Sequence, residues 1–413
     1  MGFIDKTEAG KWKAFWREPS GVQRSKTFGT EREAKSFLAQ VEVAKSTGTY
    51  VSPHAGRTRF GEHAQAWMKT WNHERTTTGR DESIMRTHVL AQWSDWQLGK
   101  VDHLSVQQWI TELSSRRSPA TVAECKRLMS GVMRSAVRNR LIGVDPTEGV
   151  KVPRRRKTDK DEARILTRDE VRQQLLPAIV PQRHRAMVAL TAFAGLRWGE
   201  VAGLCEDAVD LDRGLVRVIR TVTEVGGHTE FKPFPKSAAG RRTIPLPAWV
   251  VTELRGFMAE HPRGDRGLIF ANEAGAPLRR GLFRARIWRP ALVRAGLLGE
   301  VCEVGDGYEA VWMDEDGSVA SEVFGKYEQA VKHVAANEAG GLRFHDLRDC
   351  YGTWLADEGV EPHKIAKVMG HEKMTTTMAF YIRRQDDYDA VRGALGDDED
   401  GDDGTASIGA VVG

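Results

Sequence analysis

The feature that most restricts how this 413-residue chain can fold is an internal repeat. Residues 10–42 align without gaps to residues 306–338, at a constant offset of 296. The shared positions are those that pack, turn and cap a small domain, so we expect one local fold near both ends of the chain. Chance similarity of two small units is the alternative. The identical pairs are Ala14/Ala310, Trp16/Trp312, Gly21/Gly317, Ser25/Ser321, Phe28/Phe324, Gly29/Gly325, Ala34/Ala330 and Glu42/Glu338.

The first copy has the pattern of a β-β-α unit. Residues 10–17 alternate apolar with basic residues, which is typical of a strand, and residues 22–28 follow a Pro-Ser-Gly turn as the returning strand. Thr30 with Glu33 three residues later predicts a helix that begins with a capping box. A further short strand from residues 2–4 completes the expected unit.

Basic side chains of the first copy suggest a nucleic-acid surface. Residues 10–42 hold seven Lys or Arg against four acids, and a two-stranded ribbon can enter a DNA major groove. We expect these side chains on the sheet face away from the helix, although a merely solvated face is the alternative. The candidate DNA contacts are Lys11, Lys13, Arg17, Arg24 and Lys26.

The second copy loses that charge. Its five corresponding positions are Gly307, Glu309, Met313, Ala320 and Glu322. We therefore predict that it keeps the β-β-α fold but acts as a protein-contact module rather than as a second reader of DNA.

Between and after the copies, the sequence predicts a multidomain α+β chain. Residues 1–56 form the first small unit and residues 57–152 an all-helical domain. Residues 160–395 predict a mixed, mainly helical domain into which residues 299–341 are inserted. Its expected local elements are a capping box at Thr167 and Glu170, an apolar helix from Arg185 to Ala194 and a helix-turn-helix at 352–368. One of the helices expected in the all-helical domain lies at 78–89. Residues 396–413 hold six acids and no base, which predicts a disordered tail. A basic linker at 153–159 joins the domains, and its four consecutive cations are candidate phosphate contacts: Arg154, Arg155, Arg156 and Lys157.

Whole-chain composition agrees with a nucleic-acid partner and argues against a membrane. The formal net charge is +4, and leaving out the six tail acids raises it to about +10. No apolar run approaches the roughly 20 residues that a membrane-spanning helix needs, and the first residues lack the apolar core of a signal peptide. Four widely separated cysteines predict neither a disulfide framework nor a zinc cage, so we expect a cytoplasmic location.

Candidate catalytic residues are concentrated in residues 344–384. His345 and Arg348 are three residues apart and would share one helix face. Gly370 is expected to end a helix and present His371, and Tyr381 follows ten residues later. A guanidinium matches two phosphate oxygens, histidines move protons near neutral pH, and a phenol can act as a nucleophile. The grouping predicts a phosphodiester site.

Each of these residues also has a structural interpretation. A histidine on an apolar helix is more often packed than catalytic, and Arg348 could pair with Asp346 or Asp349. Upstream, Arg197 and Glu200 could form a plain salt bridge, and the lysine at 236, in a loop between apolar strands at 215–223 and 242–246, could simply be solvated.

Taken together, these motifs resemble the tyrosine recombinases and, more narrowly, the integrases of phages and mobile elements. The resemblance rests on Arg197 in AGLRWGE, Lys236 in PKSAAGRRTIPL, the HDLR run at 345–348, Gly370-His371 and Tyr381. It covers nearly the whole chain: residues 1–56 resemble an AP2-like arm-type DNA-binding domain, 57–152 a SAM-like core-binding domain and 160–395 a catalytic domain. The insertion at 299–341 and the long acidic tail depart from the usual pattern.

The resemblance implies a role for each site residue. Tyr381 would attack the scissile phosphate, giving a 3′-phosphotyrosine and a free 5′-hydroxyl, while Arg197 and Arg348 would clamp the non-bridging oxygens. Lys236 would protonate the leaving oxygen, with Lys232 as its competitor.

The remaining implied roles concern protons and positioning. His345 would assist proton transfer at the nucleophile, His371 would donate a hydrogen bond to the phosphate, and Glu200 would hold the side of the site near Arg197. No metal, cofactor or ATP is expected, because the cations supply the positive charge and the covalent bond conserves the energy of the phosphodiester.

The implied function is integration and excision of a phage or mobile element by site-specific recombination. Its implied partners are double-stranded DNA with core-type and arm-type attachment sites, a homotetramer on a Holliday-junction-like synapse, and as accessory factors a host bending protein and an excisionase. The alternatives are a type IB topoisomerase, which would relax DNA alone, and a DNA-binding regulator without catalytic activity.

Overall fold

The structure is a computed structural model that describes residues 2–19, 21–52, 54–153, 164–232, 240–314 and 316–382, except for the side chains of Tyr381 and Ile382. The predictions for the cations at 154–157, for Lys236 and for the acidic tail therefore lie outside the described residues. The chain divides into two compact units, residues 1–158 and 159–413. Within the described residues, no helix is long and apolar enough to cross a membrane.

The first unit begins with a three-stranded antiparallel sheet in the order β1-β2-β3, followed by helix α1. Thr30 and Glu33 form the predicted capping box, so this helix start is confirmed. Ala14 and Trp16 are buried against the helix, and the indole of Trp16 donates to the hydroxyl of Tyr50 over 2.7 Å. The elements are β1 (Phe3–Lys6), β2 (Trp12–Arg17), β3 (Gln23–Phe28) and α1 (Glu31–Ser46).

The register of this sheet corrects one prediction. Strands β2 and β3 pair Trp16 with Arg24 and Ala14 with Lys26, so these two cations share the face that packs on the helix. Directly opposed residues of an antiparallel pair point to the same face. The expectation that Arg24 and Lys26 lie on the open face was therefore wrong. Arg24 pairs with Glu18 at 3.0 Å, and the ammonium of Lys26 lies 5.1 Å from the Phe37 ring.

Two of the predicted contacts do lie on the open face. In the β2–β3 register, Lys13 lies opposite Thr27 and Arg17 lies opposite Gln23, on the face away from the helix. Phe15 lies between them and stacks on Phe3 of β1 with ring centroids 4.8 Å apart. Lys11 is exposed just before β2 begins.

Helices make up the rest of the first unit, as predicted. A π-helical turn at Met85–Val89 joins α3 to α4, so the predicted helix at 78–89 continues to Trp93. Their apolar faces form one core around Trp93, Leu128 and Met129. The helices are α2 (Phe60–Met68), α3 (Arg75–Ile84), α4 (Leu90–Trp93), α5 (His103–Arg116) and α6 (Pro119–Arg138).

The second unit is a mixed, mainly helical assembly with small sheets around one core. Thr167 and Glu170 form the predicted capping box, with Thr167 N–H donating to Glu170 over 2.7 Å. The predicted helix from Arg185 to Ala194 is confirmed, and eight of its ten residues are less exposed than 5% because it runs through the core. The first half of the second unit contains α7 (Arg185–Ala194), α8 (Trp198–Val201), β4 (Val209–Asp210), β5 (Leu215–Val218), β6 (Thr221–Val225), β7 (His228–Lys232), β8 (Arg242–Pro245), α9 (Ala248–Glu260), α10 (Arg280–Phe283) and α11 (Arg289–Arg294).

The strands between 215 and 246 differ from the prediction in one respect. The expected single strand at 215–223 is divided: β5 pairs with β8, whereas β6 turns back at Gly226–Gly227 to pair with β7. The adjacent glycines have φ values of 58° and 80°, which suit a tight turn of this kind. Lys232 is the last residue of β7, and the chain that holds Lys236 follows it.

The inserted segment repeats the N-terminal sheet and helix. Strands β10 and β11 pair Tyr308 with Phe324 and Met313 with Val319, which is the β2–β3 register shifted by 296. The turn glycines have φ values of 86° at Gly21 and 88° at Gly317. The predicted strands and helix of the second copy are thus confirmed. They are β9 (Glu300–Val304), β10 (Gly307–Met313), β11 (Val319–Phe324) and α12 (Tyr327–Asn337).

The inserted segment packs on α11 within the second unit. The buried guanidinium of Arg289 donates to the carbonyls of Ala335, Glu338 and Gly340, at 2.5, 2.5 and 2.8 Å. These contacts satisfy carbonyls at and just after the C-terminal end of α12, where no further helical turn provides donors.

Three helices close the described chain. They are α13 (Asp346–Asp357), α14 (Pro362–Met369) and α15 (Met374–Ile382), and the predicted helix-turn-helix at 352–368 is confirmed. Gly370 takes the left-handed conformation at φ 64°, ends α14 and turns the chain toward α15.

Candidate active site

Two glycine turns bring the candidate residues together. Gly195 ends α7 in a left-handed conformation with φ 60°, and Arg197 then begins α8 as its N-cap. A Cβ at Gly195 would come within 2.4 Å of the buried Tyr351 ring. Both the backbone angle and the close approach favour glycine at this turn. The second turn, at Gly370, presents His371.

Arg197 connects these two turns. Its guanidinium donates to Glu200 over 2.9 Å and to the carbonyl of Gly370 over 3.1 Å. The salt bridge between Arg197 and Glu200, which was the structural alternative considered from the sequence, is therefore present. It does not use all the hydrogen-bond donors of Arg197. The side chain is 40% exposed, so the guanidinium is accessible to a ligand.

Glu200 is the buried acceptor of the site. Arg242 donates to both of its carboxylate oxygens, over 3.0 and 2.8 Å, while the backbone N–H of Arg197 donates over 2.8 Å. Burial alone would raise the pKa of Glu200, but hydrogen bonds and charge from Arg242, together with Arg197, lower it instead. The carboxylate is thus ionised at neutral pH and fixes the position of both guanidiniums.

Arg348 lies deeper than Arg197 and is 2% exposed. Its guanidinium donates to the carbonyls of Gly195 and Met369, not to the neighbouring carboxylate of Asp346, which accepts instead from Arg343 over 2.6 Å. Burial first, and then the positive charge of Arg197, lowers the pKa of Arg348. A buried cation whose hydrogen bonds go to backbone carbonyls favours binding of an anion.

His371 follows Gly370 and faces the same cations. Its Nδ1 atom forms a 2.9 Å hydrogen bond with Oγ1 of Thr377, which is fully buried. Burial first, and then the charges of Arg348, Arg197 and Arg242, lowers the pKa of His371 to about 4. The ring is therefore neutral at pH 7. If Thr377 holds one ring nitrogen, the other remains available to a ligand.

His345 is the residue before α13 and keeps part of its surface exposed. Partial burial lowers its pKa despite the opposing charge of Asp349, with Arg348 and Arg197 adding to the lowering. The predicted spacing is confirmed, because His345 begins the helical turn that contains Arg348.

An open cavity of about 660 Å³ adjoins His371. Five of its lining residues are basic or can become so, and none is acidic. Such a lining suits a polyanion. The cavity is lined by Arg241, Arg242, Thr243, His363, Ala366, Lys367 and His371.

Of the residues predicted from sequence, the structure brings together Arg197, Glu200, Arg348 and His371, with His345 at the start of the same helix as Arg348. Tyr381 lies on α15, but its side chain is outside the described part of the chain, and so is Lys236. The nucleophile and the proton donor therefore remain predictions.

Two residues of this site were missed by sequence reasoning. Arg242 stands next to another arginine at the start of an apolar strand, a position that does not distinguish it from a solvated residue. Thr377 could have been found, because it precedes Tyr381 by four residues and so lies on the same face of a helix.

The arrangement suits the binding of a phosphodiester. Guanidiniums and a neutral histidine surround one small region, and hydrogen bonds fix their positions before any ligand binds. Among the described residues, no group of three or more His, Cys, Asp or Glu side chains could hold a metal ion.

Comparison with known proteins places this site in a family. The phage integrase family matches residues 313–387, which include the segment from His345 to Tyr381. The prophage phiRv2 integrase of Mycobacterium tuberculosis is 26% identical over 277 residues, covering 65% of this chain and 72% of that protein. The prophage integrase IntR of Escherichia coli is 24% identical over 341 residues, covering 78% of this chain and 75% of that protein.

Solved structures share the fold. An integrase of the transposon Tn1549 in complex with a circular intermediate DNA matches with a TM-score of 0.58 and 17% identity, over 82% of this chain and 99% of that one. A lambda integrase dimer bound to a core site matches with a TM-score of 0.53 and 13% identity, over 93% and 96%.

The family match and these related sequences identify the chain as an enzyme that cleaves and rejoins DNA. The chain is a tyrosine recombinase of the integrase type and a site-specific DNA recombinase.

Proposed function

We propose that Tyr381 is the nucleophile of this recombinase and that its site opens and reseals one DNA strand at a time. The Tyr381 oxygen forms a bond to the scissile phosphorus as the bond to the 5′-oxygen breaks, giving a 3′-phosphotyrosine and a free 5′-hydroxyl. A 5′-hydroxyl from another strand reverses the step. The energy of the phosphodiester is conserved in the covalent bond, so no ATP is consumed.

The observation that carries this proposal is the pair of arginines at the C-terminal end of α14. Arg197 donates to the carbonyl of Gly370, and Arg348 to that of Met369, so both guanidiniums meet at adjacent residues. Placed there, they can bind the two non-bridging oxygens and stabilise the charge that develops in the transition state.

Proton transfer is assigned to the remaining residues. His345 assists removal of the phenolic proton, and Lys236 protonates the leaving 5′-oxygen, with Lys232 as its competitor. His371, held by Thr377, donates a hydrogen bond from its other ring nitrogen to the phosphate. Glu200 acts as a positioning residue, since its contacts are to Arg197 and Arg242 rather than to the reacting atoms.

DNA recognition is assigned to the parts of the chain that precede the catalytic unit. The proposal assigns the arm-type sites to the AP2-like residues 1–56, through the open face that carries Lys13 and Arg17. It assigns the core-type sites to the SAM-like residues 57–152. The linker cations at 154–157 would follow the phosphate backbone between domains.

The proposed assembly is a homotetramer on a Holliday-junction-like synapse. A lambda integrase tetramer bound to a Holliday junction has a fold similar to this chain, with a TM-score of 0.51 over 91% of it. A host bending protein and an excisionase are proposed accessory factors that choose between integration and excision. We expect the enzyme to act on DNA in the cytoplasm, where its four free cysteines would stay reduced.

A nicked duplex tests the chemistry. It carries the junction sequence found beside the encoding gene, with the nick placed so that a short 5′-hydroxyl fragment diffuses away after cleavage. The full chain should become covalently attached to this DNA, whereas Tyr381→Phe should not. Tyr327→Phe, on the inserted segment, is the matched control and should react as the natural chain does.

Two outcomes would contradict the proposal. Covalent attachment by the Tyr381→Phe variant would remove Tyr381 from its role. Relaxation of a supercoiled plasmid without recombination between two sites would favour topoisomerase chemistry.

A further inference from the structure

The open face of the inserted sheet is unusually apolar for a surface. Residues at alternate positions of β9, β10 and β11 point away from α12, since Ala310 between them is fully buried against the helix. Among the large apolar side chains on this face, Val304, Met313, Val319 and Val323 are 47%, 45%, 73% and 60% exposed. Exposed apolar clusters of this kind mark interaction sites. We call these residues, with Glu300, Cys302, Glu309, Val311 and Ser321, the inserted face.

The same positions in the N-terminal sheet carry a different surface. There the open face presents Phe3, Phe15, Lys13 and Arg17, with Gln23, Ser25 and Thr27 on β3. We call these residues, with Asp5, the N-terminal face. The β2–β3 and β10–β11 registers are identical over six residue pairs, so these two strands of each face have the same spacing.

The charges of the two copies are opposite. Residues 299–341 hold ten acids and two lysines, a net charge of −8, whereas residues 2–46 hold nine Lys or Arg and six acids, a net charge of +3. The opposition extends to the faces, where Glu309 occupies the position of Lys13. Like charge disfavours the acidic tail at 396–413 as the occupant of the inserted face, and opposite charge favours the N-terminal unit.

We propose that the inserted face binds the N-terminal face of a second copy of this chain, sheet on sheet. Val319, Val323 and Met313 would cover Phe3 and Phe15, as in two packed β-sheets. Glu300 and Glu309 lie at positions where they can meet Lys13 and Arg17. The choice of a second copy as the partner rests on the proposed function, in which several copies of the chain assemble on one DNA. The pairing of the two faces rests only on their shape and charge.

This contact would be weak, and it could not form while the N-terminal face is bound to DNA. Three strands of about six residues offer roughly 300 Å² a side, well below a stable interface. An N-terminal face bound in this way cannot also enter a DNA groove. Since each copy carries one face of each kind, the contact is heterologous and can link copies in a chain or close a ring. Because the contact is weak, only part of the free protein would hold its DNA-reading face covered, and DNA would displace the contact.

Disulfide trapping in the full chain, without DNA, tests the contact. Cys302 lies on the inserted face, and the other three cysteines are buried. A Ser25→Cys variant places a partner thiol on the N-terminal face. On mild oxidation we expect reducible dimers and higher species, joined between residues 25 and 302 as identified by mass spectrometry. Adding Cys302→Ser should abolish them.

A matched control uses the opposite side of the same unit. Lys35→Cys places an exposed thiol on α1, away from the N-terminal face, and should give no more crosslinking than the natural chain. Equal yields from residues 25 and 35 would overturn the proposal. Links between two Cys302 residues, or links within one chain, would also overturn it, because the occupant would then be another inserted face or the same copy.

Charge exchange provides a second measurement. Glu309→Lys and Lys13→Glu, each added to the Ser25→Cys variant, should lower the crosslinking rate roughly fivefold, and the two together should restore it. Glu322→Lys makes the same charge change on the helix-facing side of β11 and serves as the control. Failure of the exchanged pair to restore the rate would contradict the assigned partner. The covalent-attachment test with Tyr381→Phe judges the proposed function separately.

Discussion

His371 and Thr377 are joined by a 2.9 Å hydrogen bond between the ring Nδ1 and the hydroxyl Oγ1. Thr377 is fully buried and lies one helical turn before Tyr381 on α15. One contact therefore fixes the orientation of the histidine and ties the helix that carries the proposed nucleophile to the arginine site. Thr377 is a positioning residue for both.

Replacing Thr377 by valine tests this role. Thr377→Val keeps the shape of the side chain but removes the hydroxyl, so His371 loses its fixed orientation. We expect the single-turnover cleavage rate on the nicked duplex to fall about tenfold. Thr377→Ser keeps the hydroxyl and should stay within about twofold of the natural chain. If valine and serine lower the rate equally, packing rather than the hydrogen bond explains the contact.

The Arg242–Glu200 pair should dominate the stability of the second unit. Both side chains are buried, and removing one leaves the other charge without its main partner. Arg242→Met should lower the free energy of unfolding by about 3–5 kcal/mol. The double variant Arg242→Met/Glu200→Met should lose less than the sum of the two single variants, as measured by denaturant unfolding. Simple additivity would show that the two side chains are not coupled.

The sequence was informative where structure is set by neighbours in the chain. Strand alternation, the glycine turns and the capping boxes are local, so both copies of the repeat, α7 and the α13–α14 turn were predicted. The position of Gly370 and His371 was predictable for the same reason.

Contacts between distant segments were not predictable in this way. Arg242 and Glu200 are 42 residues apart, and nothing in either local pattern indicates their pairing. The wrong face assigned to Arg24 and Lys26 has a similar cause. The β2–β3 register pairs odd-numbered with odd-numbered residues, and it depends on the geometry of the connecting turn, which alternation alone does not specify.

Acidification should destabilise the second unit through two histidines. Burial, with nearby cations, lowers the pKa of His371 to about 4, and burial with the charge of Arg183 lowers that of His184 to about 4. Unfolded histidine titrates near pH 6.5, so below that pH the unfolded chain binds more protons than the folded one. Stability should therefore fall as the pH drops from about 6.5 to about 4, by at most about 1.4 kcal/mol per pH unit for each histidine.

Substitution separates the two contributions. His184→Gln and His371→Gln should each make the free energy of unfolding less dependent on pH across this range. His228→Gln, on an exposed position of β7, is the control and should leave the slope unchanged. A slope that survives both buried substitutions would place the acid sensitivity elsewhere.

Gly195 should tolerate no side chain, because its turn positions both arginines. In Gly195→Ala the new Cβ would approach Tyr351 at 2.4 Å at a backbone φ of 60°. We expect a loss of about 1–3 kcal/mol in unfolding free energy and a slower cleavage step. Gly256→Ala is the matched control, since nothing lies within 4 Å of its Cβ and it sits inside α9. That variant should be neutral or more stable by up to about 1 kcal/mol. Equal effects would contradict the role of the turn.

The register of the N-terminal sheet makes a distinct prediction about DNA binding. Lys13 and Lys26 have the same charge and are both on strands, but only Lys13 lies on the open face. For a duplex that carries the arm-type sequence, Lys13→Ala should lower affinity and reduce the slope of log affinity against log salt by about one. Lys26→Ala should leave that slope unchanged, because its ammonium lies over Phe28 and Phe37 on the helix side. If both variants reduce the slope equally, DNA does not approach this unit through the face on which Lys13, Phe15 and Arg17 lie.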